Sequence, residues 1–133
     1  MVEPRTGGTP TLDIRDLNVF YGQSHALQGV NLSLPNGVLS VVGRNGMGKT
    51  TLCKAIMGLE PIASGTVSFQ GRALNGQGPA DVARTGIAYV PQGRRLWRSL
   101  TVEEHLRLVE KRGGAWTVER IYTTFPRLAE RRS

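Results

Sequence analysis

The 133-residue chain has one cysteine, Cys53, which excludes an internal disulfide and fits a reducing compartment. Its place in an apolar helical pattern predicts a small buried hydrophobe rather than a reactive thiol. No run approaches the roughly eighteen apolar residues of a membrane-spanning helix. Residues 1–11 lack an apolar core after basic residues, which excludes a secretory signal. Their Gly, Pro and Thr content predicts a disordered lead before a domain over residues 12–133. Aromatic residues make up only 6% of the chain, so the net charge of +7 comes without an interleaved stacking platform. The positive residues are spread out, and a solvated basic surface is expected rather than a nucleic-acid partner. The two histidines, His25 and His105, have no partner at ligand or catalytic spacing and read as structural or exposed.

What the chain does have is a phosphate-binding loop. Residues 38–42 (Val-Leu-Ser-Val-Val) form a bounded β-branched run that predicts a buried strand. After it comes Gly43-Arg44-Asn45-Gly46-Met47-Gly48-Lys49-Thr50, which fits G-x-x-x-x-G-K-[ST] at every fixed position. A helical pattern follows, with Leu52, Ala55, Ile56 and Leu59 at one-face spacing. The chemistry accounts for the residue types. A di- or triphosphate needs several N–H donors converging on its oxygens, so the backbone must approach closely and in part adopt φ > 0, which glycine does at little cost. The helix start at Gly48 and Lys49 adds unpaired N–H groups and a positive dipole end. Lys49 supplies a point charge for the β- and γ-phosphates, and the Thr50 hydroxyl suits the small octahedral shell of Mg²⁺. Each hydrogen bond to a charged phosphate contributes about 1.5–3 kcal/mol net.

Around this loop the chain reads as strands first and a mixture afterwards. Leu12, Ile14, Leu17, Val19 and Phe20 predict a strand that turns at residues 21–24. A second strand through Ala26, Leu27, Val30, Leu32 and Leu34 is closed by Pro35-Asn36-Gly37. Residues 66–69 predict a strand ended by Gly71, residues 72–80 a polar connection and residues 81–85 a short helix. Residues 86–90 (Gly-Ile-Ala-Tyr-Val) predict a second buried strand, broken by Pro91. Thr101-Val102-Glu103-Glu104 is a capping box opening a helix to about Arg112, with Val102, Leu106 and Val109 on one face and Gly113-Gly114 ending it. Val118, Ile121, Tyr122 and Phe125 predict a last helix ended by Pro126.

Tyr21, the loop from Gly43 to Thr51, Gln92 after an apolar strand and proline, and the capping box together resemble the ATP-binding domain of ABC transporters. The likeness runs over residues 12–130. Leu59-Glu60-Pro61, residues 86–96 and Phe125-Pro126-Arg127-Leu128 resemble most the branched-chain amino acid importer branch, in its second ATPase subunit, with urea and short-chain amide importers beside it. Arg44 leans toward the urea-like relatives, whereas Trp97-Arg98 and His105 depart from the usual pattern and leave the substrate open.

The resemblance implies an α/β fold, a P-loop NTPase core with an antiparallel β-subdomain. It implies ATP and Mg²⁺ as ligands. The nucleotide would be held by Tyr21, Gly43, Arg44, Asn45, Gly46, Met47, Gly48, Lys49, Thr50 and Thr51, with Tyr21 stacking on adenine. Lys49 and Gln92 would be catalytic, and Thr50 and Gln92 would meet the metal. It further implies a cytoplasmic subunit, peripheral at the inner membrane face, working with membrane permease subunits and a second ATP-binding subunit. Arg94, Arg95 and Arg98 face either a permease or water.

The family's L-S-G-G-Q-type signature, its strand ending in Asp-Glu (Walker B) and its switch histidine occur nowhere in the sequence. The expectation is therefore a fold truncated before those elements, about half the family's domain, binding Mg-ATP weakly and hydrolysing it negligibly unaided. Three rivals make distinct predictions. Another P-loop protein, a GTPase or small kinase, would carry N-K-x-D or an acidic substrate site, and neither occurs. A non-catalytic nucleotide-binding or interaction module would bind without turnover. A nucleic-acid binder would retain DNA or RNA in a salt-dependent way.

Overall fold

A computed structural model of the chain describes residues 9–44, 46, 48–93 and 95–133. Most of the expected disordered lead therefore lies outside the described residues. The chain divides into two compact units, one ending at Val90 and the other covering Pro91–Ser133.

The first unit is built on an antiparallel sheet. Strands β1 (Leu12–Tyr21) and β2 (Ser24–Leu34) form the expected hairpin, with Leu12 opposite Leu34, Ile14 opposite Leu32 and Tyr21 opposite Ser24. Strand β3 (Ser64–Phe69) pairs with the other edge of β1, and the two-residue β4 (Arg72–Ala73) completes the order β2-β1-β3-β4. β4 lies within the expected polar connection. Its turn has positive φ at both central residues, Gln70 at 49° and Gly71 at 79°, the twist that suits a tight hairpin.

Strict alternation along β1 would put residues 14, 16 and 18 on one face. The buried residues are instead Ile14, Leu17 and Val19, because the register shifts between Ile14 and Leu17. Asp16 sits at φ 48°, and the bulge there moves the later apolar residues back to the core. Its backbone polar groups are both satisfied. The Asp16 N–H donates to Asn31 Oδ1 at 2.9 Å, and its carbonyl accepts from Asn18 Nδ2 at 2.9 Å. Beneath the bulge lies Gly65 at φ 91°, where an added Cβ would stand 2.3 Å from the Asp16 carbonyl oxygen.

Helix α1 (Lys49–Ile56) buries Thr51, Leu52 and Ala55, the last two in the same core as Ile14, Leu17, Val19 and Val67. It ends in a Schellman arrangement, with Leu59 N–H on Lys54 O at 2.8 Å and Gly58 at φ 71°. Cys53 is exposed, which corrects the expectation of a buried thiol. At about 100° per residue it projects away from the Leu52–Ala55 face. Leu59 lies beyond the helix and is also exposed. The short helix α2 (Pro79–Arg84) buries Val82.

Neither predicted buried strand beside the loop forms. Residues 38–42 have no strand structure, and Val38 and Val42 are 94% and 89% exposed. Residues 87–90 are likewise unpaired, with Ile87 and Tyr89 resting on the core while Val90 is 90% exposed. A strand is a pairing between backbones, and among the described residues neither segment has a hydrogen-bonded neighbour. β-branched composition alone does not hold one extended.

The second unit is helical. Helix α3 (Val102–Val109) has the complete capping box: Thr101 Oγ1 accepts from Glu104 N–H at 3.2 Å, and Glu104 Oε2 accepts from Thr101 N–H at 2.7 Å. It stops three residues short of Arg112, because Glu110 is extended at φ −65°, ψ 127°. Its carboxylate instead accepts from the Val118 N–H, at the start of α4 (Val118–Thr124), at 3.0 Å. Pro126 does not only end α4; it opens α5 (Pro126–Glu130), where its missing N–H costs nothing. His105 is structural, as expected. Its Nε2 accepts from Trp97 N–H at 3.1 Å, and Nδ1 meets the Thr101 carbonyl at 2.8 Å.

Candidate nucleotide-binding site

The glycine loop and the β1–β2 turn share one cavity of about 460 Å³. The loop side contributes Gly46, Gly48, Lys49, Thr50 and Thr51, and the hairpin side contributes Tyr21, Ser24, His25 and Ala26. Local backbone rules explain the loop. Gly46 and Gly48 have φ of 84° and 89°, in the left-handed region that side chains rarely adopt. Space is a second constraint at Gly48, where a Cβ would lie 2.9 Å from Leu27 Cδ2 and 3.2 Å from the Ala26 carbonyl oxygen. Only a glycine lets helix α1 start this close to β2.

Gly48 caps α1 without any side-chain hydrogen bond, and the first turn has no acidic residue. The helix thus directs unpaired N–H groups and its positive dipole end at the loop, where an anion gains most. Lys49 adds its ammonium, which donates to the Gly43 carbonyl and, at 2.8 Å, to the Arg44 carbonyl. Those contacts fold the side chain back along the loop and keep the charge beside it. Thr50 is exposed on the first turn, and Thr51 is buried.

At the far wall Tyr21 is 42% exposed, so its ring has a free surface beside the cavity. A cationic, N–H-rich end and an aromatic end within one cavity match the two halves of a nucleotide, and the volume falls in the usual range for small-ligand sites. Among the described residues no group of His, Cys, Asp and Glu could hold a metal alone. An exposed hydroxyl on the first turn of α1, that of Thr50, suits a hard cation held largely by phosphate and water, as Mg²⁺ is.

Of the predicted site residues, Tyr21, Gly46, Gly48, Lys49, Thr50 and Thr51 therefore meet at one cavity. Gly43 and Arg44 supply carbonyls to Lys49 and do not line it. Asn45, Met47 and Arg94 lie outside the described residues. Gln92 belongs to the second unit, where it is exposed, as are Arg95 and Arg98. Ser24, His25 and Ala26 were not expected. Their signal was the hairpin itself, which sets Ser24 opposite Tyr21 and His25 opposite Phe20.

A phosphate-binding loop joined to an antiparallel β-subdomain defines the class of nucleotide-binding cassettes. Residues 27–132 match the ABC transporter family, and the chain belongs to it. It is 34% identical to a high-affinity branched-chain amino acid transport ATP-binding protein of Pseudomonas aeruginosa, over 90% of this chain and 54% of that protein. A probable branched-chain amino acid transport ATP-binding protein of Archaeoglobus fulgidus is 38% identical over 78% of this chain and 42% of its own length. A ribose import ATP-binding protein of Yersinia pestis is 35% identical over 79% of this chain and 21% of its own. The chain thus spans about half, or less, of the curated relatives it matches. Among solved structures, an ATP-binding cassette of an ABC transporter superposes with a TM-score of 0.72, over 93% of this chain and 56% of that one, at 24% identity. An ATP-binding subunit of an ABC transporter is 31% identical, with a TM-score of 0.67, over 92% of this chain and 53% of that one. The fold is that of the ABC ATPases, with the antiparallel sheet formed.

Proposed function

We propose that this chain carries the nucleotide-holding part of an ABC importer's ATP-binding subunit, with residues 12–133 as the N-terminal portion of the cassette. The observation that carries the reading is the single cavity shared by Lys49, the open start of α1 and Tyr21. ATP would lie with its phosphates on the Gly43–Thr51 loop and its adenine against Tyr21. Lys49 exchanges its loop carbonyls for β- and γ-phosphate oxygens, a charge-assisted contact in a site already ordered for it. Mg²⁺, when bound, would neutralise phosphate charge, and the Thr50 hydroxyl would be among the groups that hold it.

The transported solute is best read as a branched-chain amino acid, on the strength of the two amino-acid transport relatives, with urea and short amides as alternatives. The ribose-importer relative makes sugar uptake the competing assignment. Permease subunits and a second ATP-binding subunit would be the partners, at the inner membrane face. Among the described residues no carboxylate lines the cavity. Phosphoryl transfer needs a group that orients the attacking water, and among the described residues no carboxylate at this cavity offers itself for that role. Nucleotide binding with negligible turnover is the activity proposed for the chain alone.

The test is Mg-ATP binding by the purified chain, with Lys49→Ala as control and phosphate release followed in the same samples. Binding that Lys49→Ala weakens about 10-fold or more, without release above background, supports the reading. Lys49-dependent release would show that a catalytic carboxylate reaches the site and would overturn the half-site account.

A further inference from the structure

We infer that the second unit carries a docking face for an anionic lipid surface, formed by Leu96 and Trp97 together with the last turn of α3. Leu96, Trp97, Leu108 and Val109 are each between 63% and 73% exposed. One histidine ties them to a common side of the helix. The Trp97 N–H donates to His105 Nε2 at 3.1 Å, and the two rings stack with centroids 5.9 Å apart. His105 Nδ1 donates in turn to the Thr101 carbonyl at 2.8 Å, which fixes the ring against its own helix. Leu108 and Val109 follow His105 by three and four residues, so they share its side of α3.

The charge around these residues points to the partner. Residues 91–133 hold nine arginines and one lysine against five glutamates, a net +5 of the chain's +7. Arg95 and Arg98 flank Leu96 and Trp97, and Lys111 and Arg112 follow soon after Val109. All four are exposed, and among the described residues none is within ion-pair distance of a carboxylate. The acids of α3 and its end are engaged elsewhere. Glu103 pairs with Arg107 at 2.6 Å, Glu104 caps the helix at Thr101, and Glu110 accepts from the Val118 N–H. A tryptophan ring suits the headgroup level of a bilayer, short apolar side chains beside it reach the acyl boundary, and flanking cations gain from anionic phosphates. Residues 38–42 make the contrast: their exposed valines have no charge among them, the composition of a segment awaiting a protein neighbour. A soluble polyanion would use the arginines and leave the tryptophan and its apolar neighbours in water.

The test is co-sedimentation of the full chain with vesicles of phosphatidylcholine alone, and of phosphatidylcholine with about one-third phosphatidylglycerol. Partition onto the anionic vesicles should be about tenfold stronger or more, and should weaken as salt rises from about 0.1 M to about 1 M. Arg95→Gln with Arg98→Gln should lower it about tenfold or more, at about fivefold per cation, whereas Arg95→Lys with Arg98→Lys should keep it. Leu108→Ser with Val109→Ser should lower it about tenfold through lost apolar burial. These positions are exposed, and far-UV circular dichroism checks that α3 persists in each variant. Trp116→Phe leaves Trp97 as the only tryptophan, and its emission should move to the blue on anionic vesicles and stay unmoved with heparin. No partition onto anionic vesicles, or partition that neither the glutamine nor the serine pair lowers, would overturn the inference. So would heparin or single-stranded DNA binding without vesicle partition, which would make this a face for soluble polyanions. Lys49→Ala should leave vesicle partition where it was, so the lipid face and the nucleotide site stand or fall separately.

Discussion

Helices α1 and α3 are both eight residues long, and they begin in opposite ways. α3 closes its own N-terminus, with the Thr101 hydroxyl and the Glu104 carboxylate taking up free N–H groups and two acids in the first turn answering the dipole. α1 begins at a left-handed glycine with no side-chain cap and no acid, and its first residue is a lysine. Left alone, that end is the weaker one, although a glycine at the N-cap costs only about a few tenths of a kcal/mol against a side-chain cap. The two helices separate a start closed by its own side chains from a start whose N–H groups are left open. The sequence marks each by a short motif, T-V-E-E in one and G-M-G-K-T in the other.

The largest effect expected is at Lys49. Lys49→Ala should weaken Mg-ATP binding about 10- to 100-fold, the scale of one or two hydrogen bonds to a charged group, with little change in Tm. Calorimetric titration would check both, and a weak effect would mean the open helix end is not the anion site. Gly48→Ala comes next. It forces a side chain into φ 89° against Leu27, and should cost about 1–2 kcal/mol in chemical denaturation while also weakening binding. Thr101→Ala breaks the closed end instead. It should cost about 1 kcal/mol of stability and leave nucleotide affinity where it was.

The smallest effect is a pH dependence confined to α3. The Thr101 N–H and hydroxyl hold the exposed Glu104 carboxyl below its usual range. A depressed carboxyl contributes stability above its unfolded pKa, about 4.3, and loses it as pH falls through the lower folded value. Melting curves between pH 6 and pH 3 should therefore show a modest acid loss that is smaller in Thr101→Ala. An identical acid loss in the variant would remove Glu104 from the account.

Local motifs and short-range pairings were legible because few residues decide them. The step from Ile14 to Leu17 already recorded the phase shift that the Asp16 bulge produces. Turn signals at residues 21–24 and 35–37 bounded β2, and Thr101 with Glu104 spelled out a cap. What was not legible depends on partners distant in sequence. Residues 38–42 and 86–90 have strand composition, yet strand pairing needs a neighbouring backbone that composition cannot supply. Cys53 was misplaced because an apolar helix pattern does not say how wide its buried face is. Pro126 was read as a stop, although the same ring suits a first helical turn. His25 looked partnerless along the chain, and its partner Asn18 lies across the hairpin, seven residues back.

The most direct test of the contrast between the two helix starts is an amide NMR titration of the purified chain with Mg-ATP and, separately, with tripolyphosphate. Shifts at Gly46, Gly48, Lys49 and Thr50 with both ligands, at the Tyr21 ring with ATP alone, and none at Thr101–Glu104 are the predicted result. Shifts confined to the Arg95 and Arg98 region, or a loop that stays silent while Thr101–Glu104 responds, would contradict it.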